Sequence, residues 1–293
     1  MDEAKIASLR SPREGVIRGL WWGQGGVPAS LPPRRFHLIG VGLPKTGTTS
    51  LAYLFQPFRW GAEFLFAESV ERLIAWRGGR LDRDGMRRWL ALRAEAGALE
   101  LDSASFNHYF LDILIELHPA ARFVYTRRDA VSWADSFLNM MLRQNTYLRG
   151  HPWPEWQLAL GRLMAPSFHP GQFVSPAHLY FSLRPLAEEL LEFYARETAR
   201  IEAALPPERS LVIDTEGLST KLDSLAELAG VPRSALNAAG SHENRGQAKI
   251  PLVAALPDLP HLLKQNGLGR LEATAVLEKD EQEEKATGFS KKT

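Results

Sequence analysis

The segment Gly42-Leu43-Pro44-Lys45-Thr46-Gly47-Thr48-Thr49-Ser50 combines two glycines separated by four residues, a lysine between them and three hydroxyls immediately after the second. A Gly-x-x-x-x-Gly turn joining a strand to a helix directs successive backbone N–H groups inward, and the helix start adds partial positive charge. Such a turn holds an anion. In nucleoside-triphosphate loops the lysine follows the second glycine, whereas here Thr48 occupies that place and Lys45 precedes Gly47 by two residues. The chemistry on offer is therefore anion binding by amides and hydroxyls, with a compact cation supplied from within the loop.

A second candidate grip lies in Phe123–Phe137, "FVYTRRDAVSWADSF". An apolar run ends in Arg127 and Arg128, Asp129 opens a helix, and Ser136 follows two helical turns later on the same side as Asp129. A guanidinium at a strand end can grip a phosphate in bidentate fashion. Arg127 and Arg128 both stand where such a grip could be made. The run Leu211–Gly217, "LVIDTEG", offers a different reading, because an aspartate ending a late strand is where nucleoside-triphosphate enzymes hold magnesium.

These residues need elements to place them. Arg35–Leu43 is a short apolar run ending in glycine and proline, followed by the helical "TTSLAYLF". Helical spacing recurs over Glu68–Trp76, Arg83–Ala96, Phe106–Leu117, Asp129–Gln144, Leu183–Leu205 and Ser219–Gly230, with Gly230 placed to stop the last. Strand signals recur over Ala98–Asp102, Ala121–Arg127 and Ser210–Asp214. Such alternation predicts an α/β fold in three layers, a central parallel sheet flanked by helices, with ligands at the carboxyl ends of the strands. The expected organisation is an extension over residues 1–34, a main domain over 35–250 and a C-terminal segment over 251–293 with a charged tail. Within the main domain, residues 145–180 are rich in proline, glycine and aromatics and are expected to form a lid or acceptor-site insertion.

Composition narrows the partners. In 293 residues, 35 basic and 34 acidic side chains nearly cancel, which supplies no general attraction for nucleic acid or anionic membrane. The absence of cysteine rules out disulfides, thiolate metal sites and a cysteine nucleophile. The apolar cluster at Leu20-Trp21-Trp22 is too short for a signal or a membrane span, so a soluble, cytoplasmic protein is expected. None of the eight histidines stands at a metal-ligand spacing from another ligand, and no metal is expected.

"PKTGTTSL", Pro44–Leu51, resembles the 5′-phosphosulfate-binding loop of sulfotransferases that use 3′-phosphoadenosine 5′-phosphosulfate (PAPS). The shifted lysine is a mark of that family, whose fold is that of the P-loop kinases. The Phe123–Phe137 segment resembles the family's 3′-phosphate-binding element, with Arg128 and Ser136 at the matching spacing; the resemblance prefers Arg128, directly before the helix start at Asp129, with Arg127 as the fallback. Arg209–Pro232 resembles its late strand and helix, with Thr215 where a tyrosine is usual. "HENRGQ" lies where the family places a basic loop over the 3′-phosphate, and it offers Arg245. The tryptophan that many members place after the first loop is absent here.

The resemblance implies PAPS as sulfuryl donor, bound by Pro44, Lys45, Thr46, Gly47, Thr48, Thr49, Ser50, Arg128, Ser136 and Arg245. It implies transfer to a hydroxyl, or as the lesser option an amine, of a small molecule, glycan or lipid. Lys45 would be the catalytic cation. The family's base, a histidine or an acidic residue ahead of the arginine–serine segment, corresponds to Asp102, favoured because it ends an expected strand at the carboxyl edge, or to its rival His108 in the first turn of the next helix. A carboxylate needs burial to raise its pKa for that task, whereas a histidine needs little tuning. The competing readings are a P-loop nucleoside-triphosphate enzyme, such as a kinase or GTPase, and a non-catalytic nucleotide-binding scaffold.

Overall fold

The computed structural model describes residues 33–148, 152–239 and 251–268. Its chain forms two compact units, one of residues 33–128, 154–160 and 200–239, the other of 129–148, 152–153, 161–199 and 251–268. Arg245, the expected N-terminal extension up to residue 32, and the charged tail from 269 lie outside the described residues.

The first unit is built on five parallel strands: β1 (Leu38–Gly40), β2 (Trp60–Ala62), β3 (Leu101–Ser103), β4 (Arg122–Arg127) and β5 (Ser210–Asp214). Their order is β2-β3-β1-β4-β5. The connection from β3 to β4 passes over β1, so the order splits beside β1, and such a split opens a crevice at the strands' carboxyl ends. The register sets Gly40 of β1 opposite Ser103 of β3 and Val124 of β4. The expected α/β layering is what the chain adopts.

Alternation along the strands assigns each face. Leu38, Leu101, Val124 and Ile213 point to one side, where they pack with α1 (Thr48–Leu54) and with Leu222, Leu225 and Ala226 of the helix over Leu222–Ala229. That helix ends at Gly230, whose φ of +70° is the left-handed turn that glycine adopts without strain. Ile39 and Asp102 point to the other side, beside Phe64, Leu90, Arg93 and Leu114. There the first unit carries α2 (Phe66–Arg77), α3 (Arg83–Gly97) and α4 (Leu111–Leu117). The Asp82 side chain caps α3 by accepting from the Gly85 N–H at 2.6 Å.

Between β4 and β5 in sequence run α5 (Ala130–Leu148), α6 (Glu155–Met164) and α7 (Pro176–Ala204). Helix α6 and strand β2 have no counterpart among the sequence-based expectations. In the second unit Trp133 of α5 is fully buried and stacks on Phe137 and Phe193, with ring centroids 5.8 and 6.1 Å away. Trp153, Phe168 and Phe173 form a further ring cluster with centroid distances of 5.1 to 6.0 Å. These aromatics of the expected insertion serve packing, whereas Tyr180 and Phe181 stay exposed. Two short helices, α8 (Leu222–Ala229, in the first unit) and α9 (Leu252–Ala255, in the second), are followed by α10 (Leu259–Gln265). Among the described residues no helix is long and apolar enough to cross a membrane.

Candidate functional site

The loop between β1 and α1 has the backbone of a specialised turn. Lys45 has φ +72° and Gly47 has φ +92°, both left-handed. For a lysine this costs about 1–3 kcal/mol, and such strain concentrates at functional positions. Gly42 is required for a different reason. A Cβ there would fall 2.2 Å from Thr126 Oγ1, 2.3 Å from Thr46 Oγ1 and 2.7 Å from the Thr126 carbonyl oxygen. Only a residue without a side chain lets the loop lie this close to β4.

The hydroxyls divide their tasks. Thr46, almost fully buried, donates to the Leu43 carbonyl at 2.8 Å and lies 3.2 Å from Thr126 Oγ1, so its side chain braces the loop. Thr48 and Ser50 are buried at the start of α1, while Pro44, Lys45, Gly47 and Thr49 are half-buried. The N-cap of α1 is Gly47, which has no side chain with which to cap the helix. First-turn N–H groups have no carbonyl partner within their own helix. Backbone donors, hydroxyls and one lysine form a donor set matched to a phosphate- or sulfate-like anion.

Beside this loop, at the carboxyl end of β4, the two arginines differ. Arg127 is taken up by carboxylates, with Nε 2.7 Å from Asp214 Oδ1 and Nη1 3.2 Å from Glu202 Oε1, and the Asp214 contact raises its pKa. The aspartate of "LVIDTEG" is thus engaged by an arginine. Arg128 is less exposed, and its Nε lies 3.7 Å from Glu216 Oε1. Asp129 accepts from the Ser132 N–H at 2.8 Å and so opens α5 as expected, and Ser136 is half-buried on that helix.

The two expected base candidates are both buried. Asp102 sits on β3, but the strand's alternation turns Ser103, not Asp102, toward the loop: Ser103 Oγ donates to the Thr48 carbonyl at 2.7 Å. Asp102 faces the opposite side of the sheet and is held by both nitrogens of Arg93, Nη1 at 2.5 Å from Oδ2 and Nη2 at 2.8 Å from Oδ1. Arg93 is itself buried and also donates to the Phe64 carbonyl at 3.0 Å. His108 is fully buried, its carbonyl accepting from Arg200 Nη2 at 2.6 Å and its Nδ1 lying 3.4 Å from the same nitrogen.

A carboxylate that sequence reasoning passed over stands at the end of β2. Glu63 has φ +60°, and its N–H donates to the Ser103 carbonyl at 3.2 Å, placing it next to the strand that contacts the loop. Its Oε1 accepts from the Ser105 N–H at 2.9 Å, while Oε2 is buried without a hydrogen-bond partner among the described residues. Burial pushes the carboxyl up to about 7, against the opposing pull of the Ser105 hydrogen bonds. The sequence signal was a lone acid inside the apolar run "WGAEFLF". Among the described residues no group of three or more histidine, aspartate or glutamate side chains is arranged to hold a metal ion.

No curated protein matches the sequence. In three dimensions the chain is similar to the sulfotransferase STF9 of Mycobacterium avium, at 14% identity and a TM-score of 0.45, over 80% of this chain and 77% of that one. It is also similar to a sulfotransferase of Alicyclobacillus acidocaldarius, at 16% identity and a TM-score of 0.45, over 84% of this chain and 96% of that one. A family model described as the sulfotransferase domain matches residues 37–232, from β1 through the helix that closes the first unit. The chain belongs to the sulfotransferase family.

Proposed function

We propose that this sulfotransferase moves the sulfuryl group of PAPS to a hydroxyl, as the lesser option an amine, of a small molecule, glycan or lipid. The observation that carries the reading is the backbone of the β1–α1 loop. It spends conformational strain to hold Lys45 two residues before Gly47, at the point where the sheet order splits. In this reading the segment Pro44–Ser50 holds the 5′-phosphosulfate through its N–H groups and the hydroxyls of Thr48 and Thr49. Lys45 supplies positive charge to the phosphate oxygen that becomes the leaving group. Arg128 and Ser136 take the 3′-phosphate, with Arg245 as a further candidate. Bound PAPS supplies the sulfuryl group; the chain's own work is to orient it, neutralise charge and take a proton.

For the proton we favour Glu63 over Asp102 and His108. A base must offer a lone pair and titrate near the working pH. The carboxyl of Glu63, held near neutrality and with Oε2 uncommitted to a hydrogen bond among the described residues, meets both conditions. Both oxygens of Asp102 are occupied by Arg93. A cytoplasmic location, with donor and acceptor both reaching the site from solution, completes the reading.

Calorimetry with 3′-phosphoadenosine 5′-phosphate, ATP and GTP tests the nucleotide assignment. Binding of the 3′-phosphorylated nucleotide without magnesium is the expected result. Magnesium-dependent binding of ATP or GTP in its place would favour a nucleoside-triphosphate enzyme and overturn the reading.

A further inference from the structure

Thr215 is the first residue after β5, in the short 3-10 turn Thr215–Thr220. Its Oγ1 lies 2.6 Å from the Thr46 carbonyl oxygen and 2.9 Å from the Arg127 carbonyl oxygen. A hydroxyl has one proton, so it is shared between these two acceptors. One of them lies in the middle of the loop, between the left-handed residues Lys45 and Gly47. The other belongs to the peptide bond that carries Arg128. The Thr215 methyl also approaches the loop, with Cγ2 3.1 Å from where a Cβ on Gly47 would stand. On the opposite side, Thr46 is tied to Thr126, the residue before Arg127, through the contact between their hydroxyls at 3.2 Å.

We propose that Thr215 is a positioning residue that clasps the loop to the end of β4 and thereby fixes the separation of the two phosphate grips. The proposal rests on the assignment of those grips to the two ends of a 3′,5′-phosphorylated nucleotide. A ligand that engages both grips gains from having the second one already in place, because ordering it on binding would cost entropy. A ligand that engages only the loop gains nothing from the clasp. The neutral hydroxyl suits the task, since a charged group between the grips would interact with the phosphates directly.

The test is calorimetry of wild type, Thr215→Val and Thr215→Ser with 3′-phosphoadenosine 5′-phosphate and with adenosine 5′-phosphate. Thr215→Val is expected to lose about tenfold in affinity for the bisphosphate, the worth of one good hydrogen bond, and less than about threefold for the monophosphate. Thr215→Ser, which keeps the hydroxyl, is expected to restore the bisphosphate affinity. Thr215→Ala carries the same expectation as the valine variant and makes no steric demand beside Gly47. Equal losses for both nucleotides would overturn the clasp and leave Thr215 a loop brace only; unchanged affinities in the valine and alanine variants would overturn it too. A wild-type protein that does not distinguish the two nucleotides would overturn the functional assignment itself, and the clasp with it.

Discussion

The Ser105 N–H donates to Glu63 Oε1 at 2.9 Å across the carboxyl edge of β2 and β3, leaving the second carboxylate oxygen of Glu63 buried and without a hydrogen-bond partner among the described residues. The bond positions the carboxyl without neutralising it, and burial raises its pKa from the ordinary 4.5 to about 7. The proposed base, Glu63, would act only when ionised, so transfer should rise with pH through about 7. Glu63→Gln should lower the single-turnover rate by roughly 10²–10⁴-fold and abolish that pH dependence.

The same group makes a stability prediction of opposite sense. Because the folded protein holds this proton more tightly than the unfolded chain, its contribution to stability is full below pH 4.5 and is lost as pH rises through about 7. Glutamine does not titrate. Glu63→Gln should therefore melt above wild type at pH 8 while being inactive, the trade expected of a group kept for function. A lower melting temperature at pH 8 would contradict this account of the site.

Asp102 should behave differently. Removing its charge leaves the Arg93 guanidinium buried beneath the sheet without its bidentate partner. Asp102→Asn is expected to cost about 3–5 kcal/mol of stability by chemical denaturation. Under conditions where the variant is folded, its single-turnover rate should stay within about threefold of wild type, well short of the loss expected for a removed base.

On the same face of the sheet, His37 and His118 meet edge to face with ring centroids 4.7 Å apart. Burial lowers both pKa values, with the nearby Arg34 adding to the effect, and His37 falls from 6.5 to about 3. The unfolded chain binds these protons more readily, so stability is full above pH 6.5 and declines as pH falls toward 3. His37→Gln should flatten the loss of melting temperature between pH 6.5 and pH 4, read by circular dichroism.

Much of this is legible in the sequence alone. The α/β layering followed from alternating periods, the loop from glycines flanking Lys45, and the helix start from Asp129. Side-chain direction on β3 was not legible. The expected strand over Ala98–Asp102 lies displaced from the actual Leu101–Ser103, and with a period of two the register decides whether Asp102 or Ser103 meets the loop. The edge strand Trp60–Ala62 is three residues long and contains a glycine, too little for a pattern to register, and with it Glu63 went unnoticed. The aromatics of 145–180 carried no directional signal either, because a ring that packs against Trp153 and one that faces solvent are the same letter in the sequence.

Loop geometry gives a further check. An alanine Cβ at position 42 would overlap Thr126 and Thr46, and two of the three closest atoms are hydroxyls that brace the loop. Gly42→Ala should cost about 1–3 kcal/mol of stability and disorganise anion binding. Calorimetry with 3′-phosphoadenosine 5′-phosphate should then show weaker binding even where the variant is fully folded.

The most direct test of the central claim is transfer of labelled sulfate from PAPS into an extract of the native host, comparing wild type with Lys45→Ala. The account predicts a labelled acceptor with wild type and none, or a trace, with the variant, although the variant retains measurable nucleotide binding. Labelling that does not depend on Lys45, or no labelling by a wild-type protein that binds the nucleotide, would contradict it.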